Sequence, residues 1–198
     1  MATDIQQIVA HLCEFYDFRG KTVIDVGAGG GQLVDFARAA RRVIAVDSDA
    51  AALQLLERAL ADKGLAGLFE LRLGDFHALA AAGDVVLFEF CLHEMPDPLA
   101  AIAHARTLAA DVVVIDHAPG SEWTYYGAED DKVQSSFEGL QRAGVRAQSI
   151  CHGEQRFSDH AELLAKIAPQ GDVAIARCAR FREALDIVIP MVYGVTLL

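Results

Sequence analysis

The 198-residue sequence has no pair of cysteines at CxxC spacing; Cys13, Cys91, Cys151 and Cys178 stand far apart. Without a secretory leader, such cysteines read as reduced thiols rather than a disulfide framework. The start, Met1-Ala2-Thr3-Asp4, lacks the basic and apolar segments of a signal peptide, so a cytoplasmic location is expected. No apolar run reaches the length of a spanning helix, and no membrane partner is expected. Basic residues are scarce: 17 Lys and Arg against 28 Asp and Glu give a formal net charge of −11. Beyond Arg41-Arg42 there is no basic cluster, which argues against a nucleic-acid partner and favours small substrates. His93-Glu94 opens like a zincin motif, but Asp97 stands where the second histidine belongs, and no metal site is expected.

What is present is the profile of one filled core, with 53% hydrophobic and 23% charged residues. The length suits a single domain over residues 1–198, and no repeat or linker divides it. Residues 3–16 read as an amphipathic helix, with Thr3 and Gln6 as a capping box and Ile5, Ile8, Val9, Leu12 and Phe15/Tyr16 at helical spacing. Residues 1–20 are expected to form an N-terminal cap helix, with Phe15 and Tyr16 either covering a ligand or simply packing on the core. Strands are predicted at Thr22–Val26, Arg42–Val46, Leu68–Leu73, Asp84–Phe90 and Asp111–Ile115, separated by helices over about 31–40, 50–63 and 98–109. Strands without polar alternation, separated by helices, imply a parallel sheet covered on both faces. The rhythm then loosens: an aromatic loop from Pro119 to Tyr126, a helix Glu129–Arg142, a strand Val145–Cys151, and a helix capped by Ser158-Asp159 that runs to Ile167 and ends at Pro169-Gln170-Gly171. A last strand spans Leu185–Leu198, where Pro190 calls for an edge position or a bulge.

The most informative stretch is Val23-Ile-Asp-Val-Gly-Ala-Gly-Gly-Gly-Gln-Leu33, a short strand running into glycines. Such a turn lets backbone N–H groups approach a ligand at the positive end of the following helix. It serves either a dinucleotide pyrophosphate or the aminocarboxypropyl end of S-adenosylmethionine. The dinucleotide fingerprint G-x-G-x-x-G fails in both frames: from Gly27 the sixth position is Gln32, and from Gly29 it is Val34.

With Asp25 two residues before Gly27, this run resembles motif I of the class I S-adenosylmethionine-dependent methyltransferases, and the resemblance continues in order along the chain. Val43-Ile-Ala-Val-Asp47 is similar to motif II, whose terminal acid holds the ribose hydroxyls. Gly74-Asp75-Phe76 resembles the next motif, where the carboxylate accepts from the adenine amino group and the following residue lines the adenine pocket. The segment from Phe88 to Pro98 resembles the one after strand 4 in small-molecule, type 11-like members, which often carry a histidine before a Pro-Asp or Asp-Pro turn. The match covers about residues 20–117 and is loose beyond. It implies a doubly wound, Rossmann-like α/β fold with a seven-stranded sheet ordered 3-2-1-4-5-7-6, mostly parallel with the last strand antiparallel. It also implies S-adenosyl-L-methionine as cofactor, bound by Asp25, Gly27, Gly29, Gly31, Asp47, Ser48, Asp75, Phe76 and Phe90. Independently, Asp47 lies 20 residues after Gly27 (47 − 27), the separation at which an acid meets ribose hydroxyls in a doubly wound sheet. Asp25 reads either as a direct ligand or as an acceptor for loop N–H groups; Asp75 reads as an adenine contact or as a cap toward His77.

Methyl transfer is an in-line displacement, and holding its geometry supplies much of the rate. A base is needed only where the nucleophile carries a proton. Glu89, His93 and His117 fall at or just after strands 4 and 5 and are the catalytic candidates. His93 is preferred as base because imidazole titrates near neutrality; its alternative is to cap the loop and close the adenosine pocket. Glu89 either orients His93 or substrate, or satisfies buried backbone. Trp123, Tyr125 and Tyr126 cluster where a class I methyltransferase places a substrate lid, and either bind substrate or pin the loop to the core. The expected partner is a small-molecule methyl acceptor, met by a monomer or homodimer. Two rival readings stand: an NAD-dependent oxidoreductase, which Asp47 suits and the glycine spacing opposes, and an S-adenosylmethionine-binding module without catalysis.

Overall fold

The computed structural model describes residues 4–198. Strands β1 (Thr22–Val26), β2 (Arg42–Asp47), β3 (Phe69–Leu73), β4 (Val85–Glu89), β5 (Asp111–His117), β6 (Ala147–Asp159) and β7 (Leu185–Leu197) form one sheet. Their order is β3-β2-β1-β4-β5-β7-β6, with β1 to β5 parallel and β7 antiparallel to both its neighbours. This is the order and the reversed last strand that the family resemblance implied.

The helices are α1 (Ile5–Phe15), α2 (Ala50–Asp62), α3 (Pro98–Leu108), α4 (Glu122–Gly127), α5 (Asp130–Ala143), α6 (His160–Ile167) and α7 (Asp172–Cys178). Every residue of β1 and β4 is buried, as a strand covered on both faces requires. Val23, Val43, Leu87 and Ile115 pack toward Ile8 and Leu12 of α1 and Leu163 of α6. Ile24, Ile44, Val86 and Val114 point the other way, toward Ile102 of α3 and Leu140 of α5. The strand order reverses between β1 and β4, which opens a crevice beyond their carboxyl ends.

Several local expectations are corrected. The helix expected from Gly31 is instead a short 3₁₀ helix, Val34–Ala39. Gly31 has φ +77°, and a Cβ there would meet Leu56 Cδ1 at 2.9 Å, so the chain cannot turn helical until it has passed this position. The aromatic loop is helix α4, with Trp123 stacked on Phe157 of β6. Strand β6 continues to Asp159; its second half is too polar to read as a strand, but it pairs with β7 in one register, with Ser158 alone skipped beside Asp186 at φ +52°. Helix α7, unforeseen, starts after Gly171 at φ +92°. The Thr3 cap lies outside the described residues; Asp4 caps α1, accepting from the Gln7 N–H at 3.0 Å. Pro190 faces Glu154 in an unbroken register with no bulge, and β5 ends opposite Tyr193, so the proline disturbs no β5 ladder. Among the described residues, no helix is long and apolar enough to cross a membrane.

Candidate active site

Two cavities meet at the carboxyl ends of the central strands. The larger, of about 690 Å³, is lined by Gly27, Asp47, Ser48, Asp75, Phe76, Glu89 and Phe90, joined by His77, Cys91 and Met95. It thus brings together six of the nine residues expected to hold the cofactor, together with Glu89; Asp25, Gly29 and Gly31 do not line it. Gly27 takes φ +71°, and a Cβ there would sit 2.5 Å from Cys91 Cβ, so the turn and the strand β4 exit close on one another only with glycine. Asp47 Oδ2 accepts from the Gly29 N–H at 3.1 Å and Oδ1 from the Asp49 N–H at 2.9 Å. The acid at the end of β2 therefore shapes the glycine turn while facing the cavity. Asp75 accepts from the His77 N–H at 2.9 Å, as the cap reading expects, and also lines the cavity. Phe76 is buried edge-on against Phe88.

Asp25 is fully buried, and neither of its oxygens, nor Glu89 Oε1, meets a donor. The two carboxyls face each other across β1 and β4. Burial, then the charge of Asp47, pushes Asp25 up to about 8. Burial, then Asp25, pushes Glu89 well above its ordinary range. Among the described residues the pair has no cation of its own, and only Glu89 of the two lines the cavity.

The second cavity, of about 360 Å³, lies on the other side of Phe90 and Glu94, which line both. Phe90 takes φ +47°, a conformation that costs a bulky residue energy and is found where a site demands it. His93, Glu94, His117, Trp123 and Glu129 line the cavity, with Ile5 and Ile8 of α1, Gln155, Lys166 and Met191. Asp116, only 3% exposed, accepts from the His93 N–H at 2.9 Å, from His93 Nδ1 at 2.5 Å and from the His117 N–H at 2.8 Å. A carboxylate can only accept, so Nδ1 carries the proton and Nε2 keeps its lone pair in the neutral ring. Burial alone would lower the His93 pKa, but Asp116, Glu129 and Glu94 together raise it. His117 lies 5.4 Å from His93, ring to ring; its Nδ1 is buried without a partner, and burial pulls its pKa down to about 4.

Of the three aromatic residues expected to bind substrate, only Trp123 lines a cavity. Tyr125 is exposed beneath the Arg177 guanidinium, 4.3 Å from its ring centre. Tyr126 is buried against Phe181 and accepts from Arg180 at its hydroxyl. Once α4 forms, helical spacing turns these two rings away from Trp123. The N-terminal helix covers the second cavity through Ile5 and Ile8. Tyr16 lies at the opposite, amino end of the strands, its hydroxyl donating to Asp111 at the start of β5, away from both cavities. Sequence reading passed over Asp116, although it ends a strand as Asp25 and Asp47 do. Glu129, Lys166 and Gln155 carry no local signal; only tertiary packing brings them to the site.

Fold and site together define a doubly wound α/β protein with two adjoining cavities at the carboxyl ends of its central strands. A family model described as "Methyltransferase domain" matches residues 23–119. Among solved structures, the chain is similar to a provisionally assigned methyltransferase from Bacillus halodurans, at 14% identity and TM-score 0.69, over 96% of this chain and 97% of that one. It is also similar to a SAM-dependent methyltransferase from Aquifex aeolicus, at 18% identity and TM-score 0.61, over 98% and 89% of the two chains. A third is the magnesium protoporphyrin IX methyltransferase of Synechocystis with bound SAM, at 18% identity and TM-score 0.54, over 97% and 77%. No curated protein sequence matches significantly. The matched segment is a methyltransferase domain, and the chain as a whole takes the fold of the S-adenosylmethionine-dependent methyltransferases.

Proposed function

We propose that the protein binds S-adenosylmethionine in the larger cavity and passes its methyl group to a small organic acceptor held in the smaller one. The observation that carries this reading is the Asp25–Glu89 pair. Buried carboxyls without donors call for a cationic group, and they would repel a dinucleotide pyrophosphate. S-adenosylmethionine, when bound, supplies an ammonium for such a pair and an electrophilic methyl on a sulfonium. Glu89, at the cavity wall, would take the ammonium, with Asp25 behind it. Asp47 would accept from the ribose hydroxyls with its remaining lone pairs, and Phe76 and Asp75 would flank the adenine.

Phe90 stands between the two cavities and limits the opening through which the methyl passes. His93 offers Nε2 to the acceptor side, its ring fixed by Asp116. Trp123, Ile5 and Ile8 supply apolar wall and keep water from the reacting centre. A cavity of about 360 Å³ fits a small acceptor, and a net charge of −11 discourages a nucleic acid. Four free thiols suit a reducing, cytoplasmic setting.

Calorimetric titration with S-adenosylmethionine and, separately, NADH tests the donor. Binding of the first alone is expected; binding of NADH alone would overturn the reading. Incubation with methyl-labelled donor and fractionated small metabolites then tests the acceptor, and label found only in protein or RNA would refute a small molecule.

A further inference from the structure

His93, Glu94 and Glu129 each bring one ligand atom within 4.8 Å of the others at the wall of the second cavity. The sequence denies His93-Glu94 a zincin partner at Asp97, yet the fold supplies a third ligand from Glu129, the N-cap of α5. We infer that these three residues form a divalent-cation site that holds an oxygen-bearing acceptor in the second cavity. The assignment of that acceptor rests on the methyltransferase reading above.

Geometry supports the site first. Nitrogen and oxygen ligands at about 2.0–2.2 Å from an ion stand roughly 3–3.6 Å apart, so pairs near the 4.8 Å limit would close by about an ångström through side-chain rotation. His93 Nε2 already lies 3.5 Å from Glu94 Oε1. Orientation supports it next. Asp116 holds His93 Nδ1 at 2.5 Å, the carboxylate–histidine arrangement that fixes a metal-binding imidazole with its other nitrogen free.

Charge is the third argument. Asp116 and Glu129 are 3% and 6% exposed, and with Glu94 they place three carboxylates around one imidazole, while Lys132 pairs with the outer oxygen of Glu94. A divalent cation offsets charge that Lys132, on Glu94, and Lys166, at the cavity wall, leave at Asp116 and Glu129. Independently, His117 lines the same cavity with its Nδ1 buried and unpartnered, a polar atom that a ligand there would satisfy. One histidine and two carboxylates suit first-row divalent ions, and three protein ligands leave positions open toward the cavity. An acceptor hydroxyl in an open position becomes more acidic and yields its proton to water. Its oxygen then bonds the methyl carbon as the S–C electron pair returns to sulfur.

The test is titration of chelator-treated full-length protein with Zn²⁺ or Mn²⁺ alone by calorimetry, with Co²⁺ read by its visible absorption. A single saturable site is expected, weakened about tenfold or more in Glu129→Gln and in Glu94→Gln, and about 10–100-fold in Asp116→Asn. S-adenosylmethionine affinity of Glu129→Gln should match the wild type, which also shows that the variant is folded; if it is not, Glu94→Gln carries the comparison. No saturable binding to the wild type, or equal binding to wild type and folded Glu variants, overturns the site. Metal binding as expected in a protein that binds no S-adenosylmethionine would instead strike the methyltransferase reading and leave the site standing.

Discussion

Asp25, one residue before the end of β1, and Glu89, which ends the neighbouring β4, bury their carboxyl groups against each other, and among the described residues no donor meets either Asp25 oxygen. Such a pair is held in place by the fold at a cost. Burial raises Asp25 from 3.8 to about 8, so between those values the folded chain keeps a proton that the unfolded chain has released. Stability therefore falls as pH rises through that window, and the penalty is complete above about 8.

Asp25→Asn should stabilise the ligand-free protein. The amide removes one buried acid and can donate to Glu89, and even about 1 kcal/mol recovered raises Tm by about 2–4 °C in a chain of this size. The gain is expected to grow from pH 4 to about pH 8 and to vanish in acid, following the Asp25 titration. Thermal melts of both proteins across that range check it. A lower Tm for the variant at every pH would mean that Asp25 satisfies backbone instead of storing strain.

The same pair makes donor binding pH-dependent. A bound ammonium favours the charged carboxylate, so binding drives off the proton that the empty pair holds. S-adenosylmethionine affinity should rise with pH and level off near 8, with proton uptake by the buffer seen when calorimetry is repeated in buffers of different ionisation enthalpy. Glu89→Gln should flatten this dependence and weaken binding by about 1.5–3 kcal/mol, the scale for a hydrogen bond to a charged group. Flat affinity in the wild type would separate the pair from the ligand.

How far the sequence revealed these features depends on how local their causes are. Strand β1, its glycines and Asp47 were legible because a β-branched run, a positive-φ turn and a strand-end acid each act within a few residues. The opposing carboxyl of Glu89 was visible as a residue but not as Asp25's neighbour, since only sheet register places β4 beside β1. Trp123, Tyr125 and Tyr126 looked like one cluster in the chain; helix α4 separates them, one into the cavity and two away from it. Glu129, Lys166 and Gln155 come to the second cavity from α5, α6 and β6, where the family resemblance is loose and no short-range signal marks them.

Asp47 performs two tasks that one substitution separates by their readouts. Asp47→Ala should weaken S-adenosylmethionine binding by about 1.5–3 kcal/mol through lost ribose contacts. It also removes the acceptor of the Gly29 and Asp49 N–H groups, so Tm should fall as well. A variant with reduced Tm but unchanged donor affinity, measured by calorimetry below its melt, would leave Asp47 as a turn-former and place the ribose elsewhere.

Gly27 tests whether the turn depends on space or on backbone conformation. A Cβ at position 27 would lie 2.5 Å from Cys91 Cβ and 2.6 Å from its Sγ, and the residue would be held at φ +71°. Gly27→Ala should therefore lose stability by more than the roughly 1–2 kcal/mol of left-handed strain alone, and donor affinity should drop as β4's exit shifts. Cys91→Gly removes both clashing atoms but not the strain. In a double-mutant cycle the pair should show a favourable coupling of about 0.5–3 kcal/mol, read from denaturant unfolding of the four proteins. Simple additivity would mean that the close approach of Gly27 to Cys91 does not govern the turn, and that its conformation alone demands glycine.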